Sequence, residues 1–439
     1  MDVLIRIAQF VLSLSILIVL HEMGHFFFAR LFKTRVEKFY LFFDLGFSLF
    51  KRKIGDTQYG IGWLPLGGYV KISGMIDESM DREQMKQEPQ PWEFRSKKAW
   101  QRLLIMLGGV SVNFLLALVI YILVFFRWGE EYVPAERFVY GYTYADVYLE
   151  MGFQNGDKIL ALDGKPVEKL RLIHHDIVVE GVKSVQIERN GKRMEIQVPE
   201  ESLPRLLKVE VPMVPRIPFE LASLVPGGGA EAAGLKVGDK ILAIDGQPFS
   251  YMDELRSILR GKSNTDFTLA VLRGNDTLNM QVTTNEQAML GVRNKDLYAY
   301  FEPVVVKYSL LQSIPAGIKR GVDLTKSYLK QLKMLFKPET KAYEEIGGFI
   351  KIGSIFSPVW DWQSFWNMTA FLSIILAVMN ILPIPALDGG HVMFLLFEMI
   401  TGRKPGDKFL EYSQIVGMVI LLSLLLYANL NDIIGLFNK

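Results

Sequence analysis

The sequence predicts a polytopic α-helical membrane protein with four spans, a β loop re-entering beside the first of them, and an exported insert of two tandem small β-barrels. Three observations predict it. Half of the 439 residues are apolar and the mean hydropathy is +0.20, well above a soluble chain of this size. Four stretches reach the roughly 20 apolar residues that a bilayer core requires. Between the second and third of them, a nine-residue pattern recurs in the same order 82 positions later. Composition also excludes. The 49 Lys+Arg against 47 Asp+Glu leave a net charge of +2 and no pull toward nucleic acid. With no cysteine, disulfides, thiol nucleophiles and sulfur-ligated zinc are out. Any metal must be held by carboxylates and the five histidines.

The first span, within residues 1–30, runs from Val3 to Ala29, with Arg6, His21, Glu22 and His25 as its readily ionised groups. A signal peptide has a shorter apolar run and a small-residue cleavage site. Here Phe26-Phe27-Phe28-Ala29 continues into Arg30, so a retained helix is expected. Residues 31–102 form a polar segment on one face of the membrane. The second span, 103–127, ends at Arg127-Trp128, an interface anchor. The third, within 361–400, starts after Trp360 and runs to Leu382; the fourth covers 412–431. Arg30 to Arg102 carries 14 Lys/Arg, and Arg403, Lys404 and Lys408 precede the fourth span. Both loops are therefore expected in the cytoplasm. Both termini and the insert then lie outside, which in a bacterial inner membrane means the periplasm.

Within the insert, Gly156-Asp-Lys-Ile-Leu-Ala-Leu-Asp-Gly164 returns as Gly238-Asp-Lys-Ile-Leu-Ala-Ile-Asp-Gly246, identical at eight of nine positions. Each copy leads, about 30 residues on, to a strand, a turn and another strand (Ser184–Arg189 with Met194–Val198; Thr268–Arg273 with Leu278–Val282). Period and content resemble tandem PDZ domains, 128–215 and 216–300. Such a domain captures an extended peptide by strand addition, with a backbone nest for its terminal carboxylate. Leu290-Gly291-Val292 supplies that loop in the second copy. In the first, Val211-Pro212-Met213 lacks the glycine and one backbone donor. The aspartates and glycines of the repeated pattern read as turn formers, and His174-His175 reads as surface. In the linker 301–360, Ile318 to Phe336 has amphipathic spacing. Such a helix lies on the membrane, clamps the bundle, or packs on the repeat pair.

The chemistry starts at His21-Glu22-Met23-Gly24-His25. On a helix, residues four apart share a face, so both imidazoles can reach one metal with Glu22 beside it as general base. Three ionisable groups within five residues of an apolar span are costly, and function is the default reading. A catalytic zinc has three protein ligands and a fourth position for water. Without cysteine, the third candidate is Asp388 in Asn380-Ile-Leu-Pro-Ile-Pro-Ala-Leu-Asp-Gly-Gly-His391. Pro383 and Pro385 break the helix there, and irregular backbone at membrane depth survives only where it is buried or lines a cavity. Asp388 can also cap a helix over 391–400, a role that can coexist with metal binding, and His391 can equally support the site or serve as a polar contact. His25 lies five residues before Arg30, which puts the metal roughly 8–14 Å inside the cytoplasmic face.

HEMGH in the first span, NILPIPALDGGH in the third and the tandem PDZ insert together resemble the site-2 protease family, zinc metalloproteases that cut within the membrane. The four-span layout is most similar to its bacterial regulator of sigma-E protease type. The resemblance implies one zinc ion on His21, His25 and Asp388, with Glu22 as the catalytic glutamate. It implies that Asn380, Pro383 and Pro385 line the substrate path. It also implies that Phe39–Met75, with Gly67-Gly68-Tyr69-Val70-Lys71, is a membrane-reentrant β-hairpin offering an edge strand to substrate. The residues themselves agree. Positions 36–73 alternate apolar and small side chains, carry a glycine-rich turn near Gly60-Ile-Gly62, and are too polar to span. The implied substrates are single-span membrane proteins whose external domain has been shed, such as a truncated anti-sigma factor or a signal peptide remnant, with the paired PDZ domains excluding bulkier ones. Two positions depart from the family: Gly109-Val-Ser-Val-Asn113 where Gly-Pro-x-Ala-Asn is frequent, and Gly348-Phe349 for a second Gly-Pro. Both are expected away from the metal set, where they bear on helix packing. A zinc transporter would need no Glu22 beside the histidines, and a catalytically silent PDZ scaffold need not keep all four residues.

Overall fold

The computed structural model describes residues 2–75 and 87–437, without the side chains of residues 66 and 170–172. Arg82 and Lys86 of the basic loop fall outside the described residues. The chain divides into two units. One comprises residues 1–130, 307–336 and 342–439; the other comprises 131–306 with 337–341.

The first unit is helical: α1 (Asp2–Leu31), α2 (Ala99–Trp128), α3 (Leu310–Leu335), α4 (Trp362–Ile381), α5 (Asp388–Thr401) and α6 (Asp407–Phe437). Of these, α1, α2, α4 and α6 are long and apolar enough to cross a membrane. Their apolar side chains are widely exposed, notably along α6, as lipid-facing surface should be. The starts and stops follow local chemistry. Asp361 caps α4 by accepting from the Ser364 N–H at 2.7 Å. Pro383 forces Leu382 into an extended conformation and ends the helix. Gly129 (φ +78°) and Gly402 (φ +69°) close α2 and α5.

Small and polar residues join the spans, as expected where water cannot drive association. Gly24 and Gly108 face each other, and a Cβ on either would strike the other's carbonyl oxygen. Ser13 and Thr369 hydroxyls hydrogen bond at 3.0 Å between α1 and α4, and Ser373 donates to the Asn113 carbonyl at 2.7 Å between α4 and α2. The amphipathic segment forms α3, which starts earlier than its spacing implies because Ser309 caps it. It packs along α2 with Gly317 against the Ile122 backbone and Gly321 against Leu118, while Leu324, Tyr328 and Leu332 join a shared core with Tyr121 and Ile374.

Between α1 and α2 lie β1 (Val36–Ile54) and β2 (Thr57–Ile72). They fold back on themselves, since residues 38–41 pair with both 58–61 and 68–71. The strand segments therefore run in the order 48–54, 57–62, 36–41, 68–72, leaving 68–72 at one edge. Phe42 (φ +67°) and Gly46 (φ +83°) make the bend inside β1. The tight turn is at Gly55-Asp56, not at Gly60–Gly62 as expected. Those two glycines sit within β2, where a Cβ would strike the Tyr40 ring or the Phe43 carbonyl. They serve close packing rather than reversal of the chain.

In the second unit, the two copies repeat in three dimensions. The first has β3 (Tyr142–Tyr144), β4 (Lys158–Leu162), β5 (Ser184–Arg189), β6 (Lys192–Gln197) and β7 (Met213–Pro215). The second has β8 (Leu221–Leu224), β9 (Lys240–Ile244), β10 (Asp266–Arg273), β11 (Asp276–Thr283) and β12 (Val292–Asn294). In each copy the middle three strands pair antiparallel in sequence, and the first pairs with the last. The second aspartate of each pattern does form the turn: Asp163 and Asp245 have φ of +43° and +46° and accept from Ser184 and Thr268 N–H. The first does something the sequence reading missed. Asp157 and Asp239 are buried and each meets an arginine, Arg189 or Arg273, at 2.6 Å. His174 is not surface either. It is half-buried at 2.6 Å from the Tyr148 hydroxyl, and burial with His175 alongside lowers its pKa to about 4.

Candidate metal centre

The α1 helix carries His21 and His25 on one face, one turn apart, as the spacing requires. Their Nε2 atoms lie 3.2 Å from each other, and each lies 3.3 Å from Asp388 Oδ2. That oxygen is buried and makes no hydrogen bond. Three lone-pair atoms converging on one point repel each other unless a cation sits among them. A tetrahedral zinc with ligands at about 2.0–2.1 Å spaces those ligands about 3.3 Å apart, so the donor set fits zinc in type and in spacing.

The proline break delivers Asp388. After α4 ends, Ile381 to Leu387 turn back, and Asp388 becomes the first residue of α5 with Leu387 in the capping position and no side-chain cap. The break is tight. Gly389 lies against Ile381 and Leu382 carbonyls, Gly390 against Pro385, and a Cβ on Gly417 of α6 would strike the Pro385 carbonyl. Ala386 holds φ +77° while its N–H donates to Gln414 Oε1 at 3.2 Å.

A cavity of about 680 Å³ opens on this cluster. Glu22 lines it beside the histidines, as do Asn380, Gly67, Gly68 and His391. The 67–72 stretch supplies a continuous wall, so the outer edge of the sheet lies beside Glu22, which accepts a hydrogen bond from the Val70 backbone. Gly68 stands so close to Ile18 and the Tyr40 carbonyl that a Cβ would collide with both. Pro383 and Pro385 make the break and are not on the cavity wall; Pro383 is exposed. Leu290, Gly291 and Val292 belong to the second unit. Leu290 is a core residue, Gly291 has φ +81° and packs on Gly228, and Val292 starts β12.

Two residues expected away from the metal set are on it. Gly109 lies against both imidazoles, and a Cβ there would strike His25 Nε2 and His21 Cε1. Asn113 is fully buried, with its side-chain amide 3.3 Å from His21 Nδ1. The signal was available: an asparagine in an apolar span marks a site by the same cost argument as an acid. Its companion Gly108-Gly109 faces Gly24 next to the histidines. Asn380 Nδ2 approaches His21 Nε2 at 3.4 Å, and His25 Nδ1 donates to the Ile105 carbonyl at 2.8 Å.

Comparison with known proteins adds an independent line. The profile described as Peptidase family M50 matches residues 9–424. The chain is 28% identical to the Regulator of sigma E protease of Haemophilus influenzae, over 99% of this chain and 100% of that protein. It is 29% identical to a protein named as a zinc metalloprotease in Neisseria meningitidis serogroup A, over 97% and 98% of the two chains. It is 27% identical to Protease RseP of Yersinia pestis, over 98% and 99%.

Proposed function

Because the chain belongs to peptidase family M50, the site-2-type intramembrane zinc metalloproteases, we propose that His21, His25 and Asp388 hold its single zinc ion and that Glu22 is the general base. The observation that carries this reading is the triangle of donor atoms, 3.2–3.3 Å on a side, in the cavity that Glu22 also lines. Bound there, zinc supplies Lewis acidity, bringing the pKa of water toward ~7 and polarising a carbonyl. Glu22 takes a proton from the attacking water and later delivers it to the leaving amine. Asn380, on the same wall, holds substrate backbone or the developing oxyanion.

The substrate is a transmembrane segment. A helix hides its carbonyls in its own hydrogen bonds and must unwind before attack. Strand pairing along the outer edge at 68–72 offsets the bonds lost, with Gly67 and Gly68 allowing close approach. In this reading the hairpin re-enters the membrane from the cytoplasmic side. The two β units of the insert are PDZ domains in the periplasm, as are both termini. They exclude proteins with bulky external domains, so the natural substrates are already shed: a truncated anti-sigma factor or a signal peptide remnant. Leu290-Gly291-Val292 offers the second copy's carboxylate loop.

The test compares wild type with Glu22→Gln, both purified in detergent, on a single-span substrate with and without its external domain. Expected are about one zinc per chain in both proteins and a cleavage rate about 10²–10⁴-fold lower in the variant. Shedding should accelerate cleavage by wild type. Equal rates for the two enzymes would sink the assignment of Glu22, and zinc absent from both would sink the ligand set.

A further inference from the structure

The histidine pair on α1 is read by a single stripe of α2. Ile105, Gly109 and Asn113 are spaced four apart and therefore share one face. The Ile105 carbonyl accepts from His25 Nδ1 at 2.8 Å, Gly109 leaves room for both rings, and Asn113 meets His21 Nδ1 at 3.3 Å. For His25 the consequence is direct. A carbonyl can only accept, so Nδ1 carries the proton and Nε2 is bare, facing Asp388. His21 points its own Nε2 at the same place, yet its Nδ1 has the Asn113 amide rather than a carbonyl as neighbour.

The two ends of an asparagine side chain are told apart only by their hydrogen bonds. With Nδ2 toward His21, the Asn113 Oδ1 is buried without a partner, an arrangement folded proteins rarely keep. Turning the amide over places Oδ1 beside His21 Nδ1 and gives that oxygen its donor. The backbone is already fixed for this, since Ser373 donates to the Asn113 carbonyl at 2.7 Å. We propose that Asn113 is a positioning residue, accepting a hydrogen bond from His21 Nδ1–H and so holding His21 in the tautomer that leaves Nε2 free for the metal. The inference rests on the ligand set proposed above and deepens it. Together with Ile105, Asn113 makes α2 the element that sets both tautomers.

Zinc affinity, read by competition with a chelator on the full-length purified protein, tests this without recourse to turnover. Asn113→Asp keeps an acceptor at the same distance. Asn113→Leu keeps the volume and removes the acceptor. Loss of such a partner costs metal affinity about 10–100-fold, so the leucine variant should give up zinc at correspondingly lower chelator, and the aspartate variant should match wild type or exceed it. A cobalt-substituted sample adds a spectroscopic check, since the aspartate variant should keep the wild-type visible bands. Wild-type affinity in Asn113→Leu overturns the proposal. So does an aspartate variant that folds like wild type but binds zinc as weakly as the leucine variant, because a purely steric role would treat the two alike. Should the leucine variant fail to fold, Asn113→Ala, which also removes the acceptor, takes its place: affinity lowered about 10–100-fold supports the proposal, and wild-type affinity overturns it. If instead His21 or Asp388 is not a ligand, alanine at that position (His21→Ala or Asp388→Ala) will leave zinc binding at the wild-type level, which separates failure of the ligand set from failure of the tautomer argument.

Discussion

At the residue scale, Gly109 is a position whose function is the absence of atoms. A methyl group there would fall on His25 Nε2 and on the His21 ring, and since Gly24 and Gly108 pack tightly beside it, room for it comes only from shifting the rings or parting α1 from α2. Gly109→Ala should therefore displace the imidazoles and lose zinc. Gly435→Ala, in a stretch with nothing within 4 Å, should leave zinc unchanged and gain up to about 1 kcal/mol of helix stability. Zinc content and thermal midpoints of the two variants check this pair. The contrast explains what the sequence discloses. His21, Glu22, His25 and Asp388 are legible because a charge in an apolar run is expensive and demands a reason. Asn113 carries the same kind of signal more faintly. A glycine in a span has many uses, and only the neighbour across the interface tells which applies.

At the scale of elements, the break between α4 and α5 is legible in Pro383 and Pro385, but what holds it is not. Ala386 sits at φ +77°, a region that costs an L-residue about 1–2 kcal/mol. Its N–H is secured by Gln414 from α6, 28 positions away. Ala386→Gly should relieve the strain and, after the added flexibility of the unfolded chain, stabilise by up to about 1 kcal/mol. Gln414→Ala should destabilise by about 0.5–1.5 kcal/mol through the lost bond. Thermal unfolding in one detergent ranks both against wild type, and a destabilised Ala386→Gly would refute the strain argument. The hairpin shows the opposite limit. Alternation announced strands over 36–73, whereas the double pairing of 38–41 and the turn at Gly55-Asp56 depend on long-range register, which alternation alone does not set.

For the molecule as a whole, the repeat is the most legible feature and its energetics the least. Eight identities in nine positions reveal two copies, but not that Asp157 and Asp239 reach across to Arg189 and Arg273 at the far end of a later strand. The arginine hydrogen bond is the largest influence on Asp239 and holds its pKa below the usual 3.8. A depressed carboxylate stabilises the fold above its unfolded value, and the contribution fades as pH falls through the folded one. Hydrogen exchange over β9–β11 in the full-length protein, corrected for intrinsic rates, should therefore show protection steady from neutrality to about pH 4 and falling below it. In Asp239→Asn, protection should start lower and change less over the acid range. A wild-type profile flat down to pH 2 would contradict this.

His25 and Asp388 are separated by 363 residues of chain, and at about 5–20 residues per second a ribosome needs roughly 20–70 s to make that stretch. Throughout that interval the growing polypeptide displays HEMGH in the bilayer without its third donor. Synthesis order thus acts as a timer. With the ligand set proposed above, the newborn chain has a complete donor set only once its last third has arrived. A product stopped before residue 388 would lack that third donor and, on this reading, would not hold the metal.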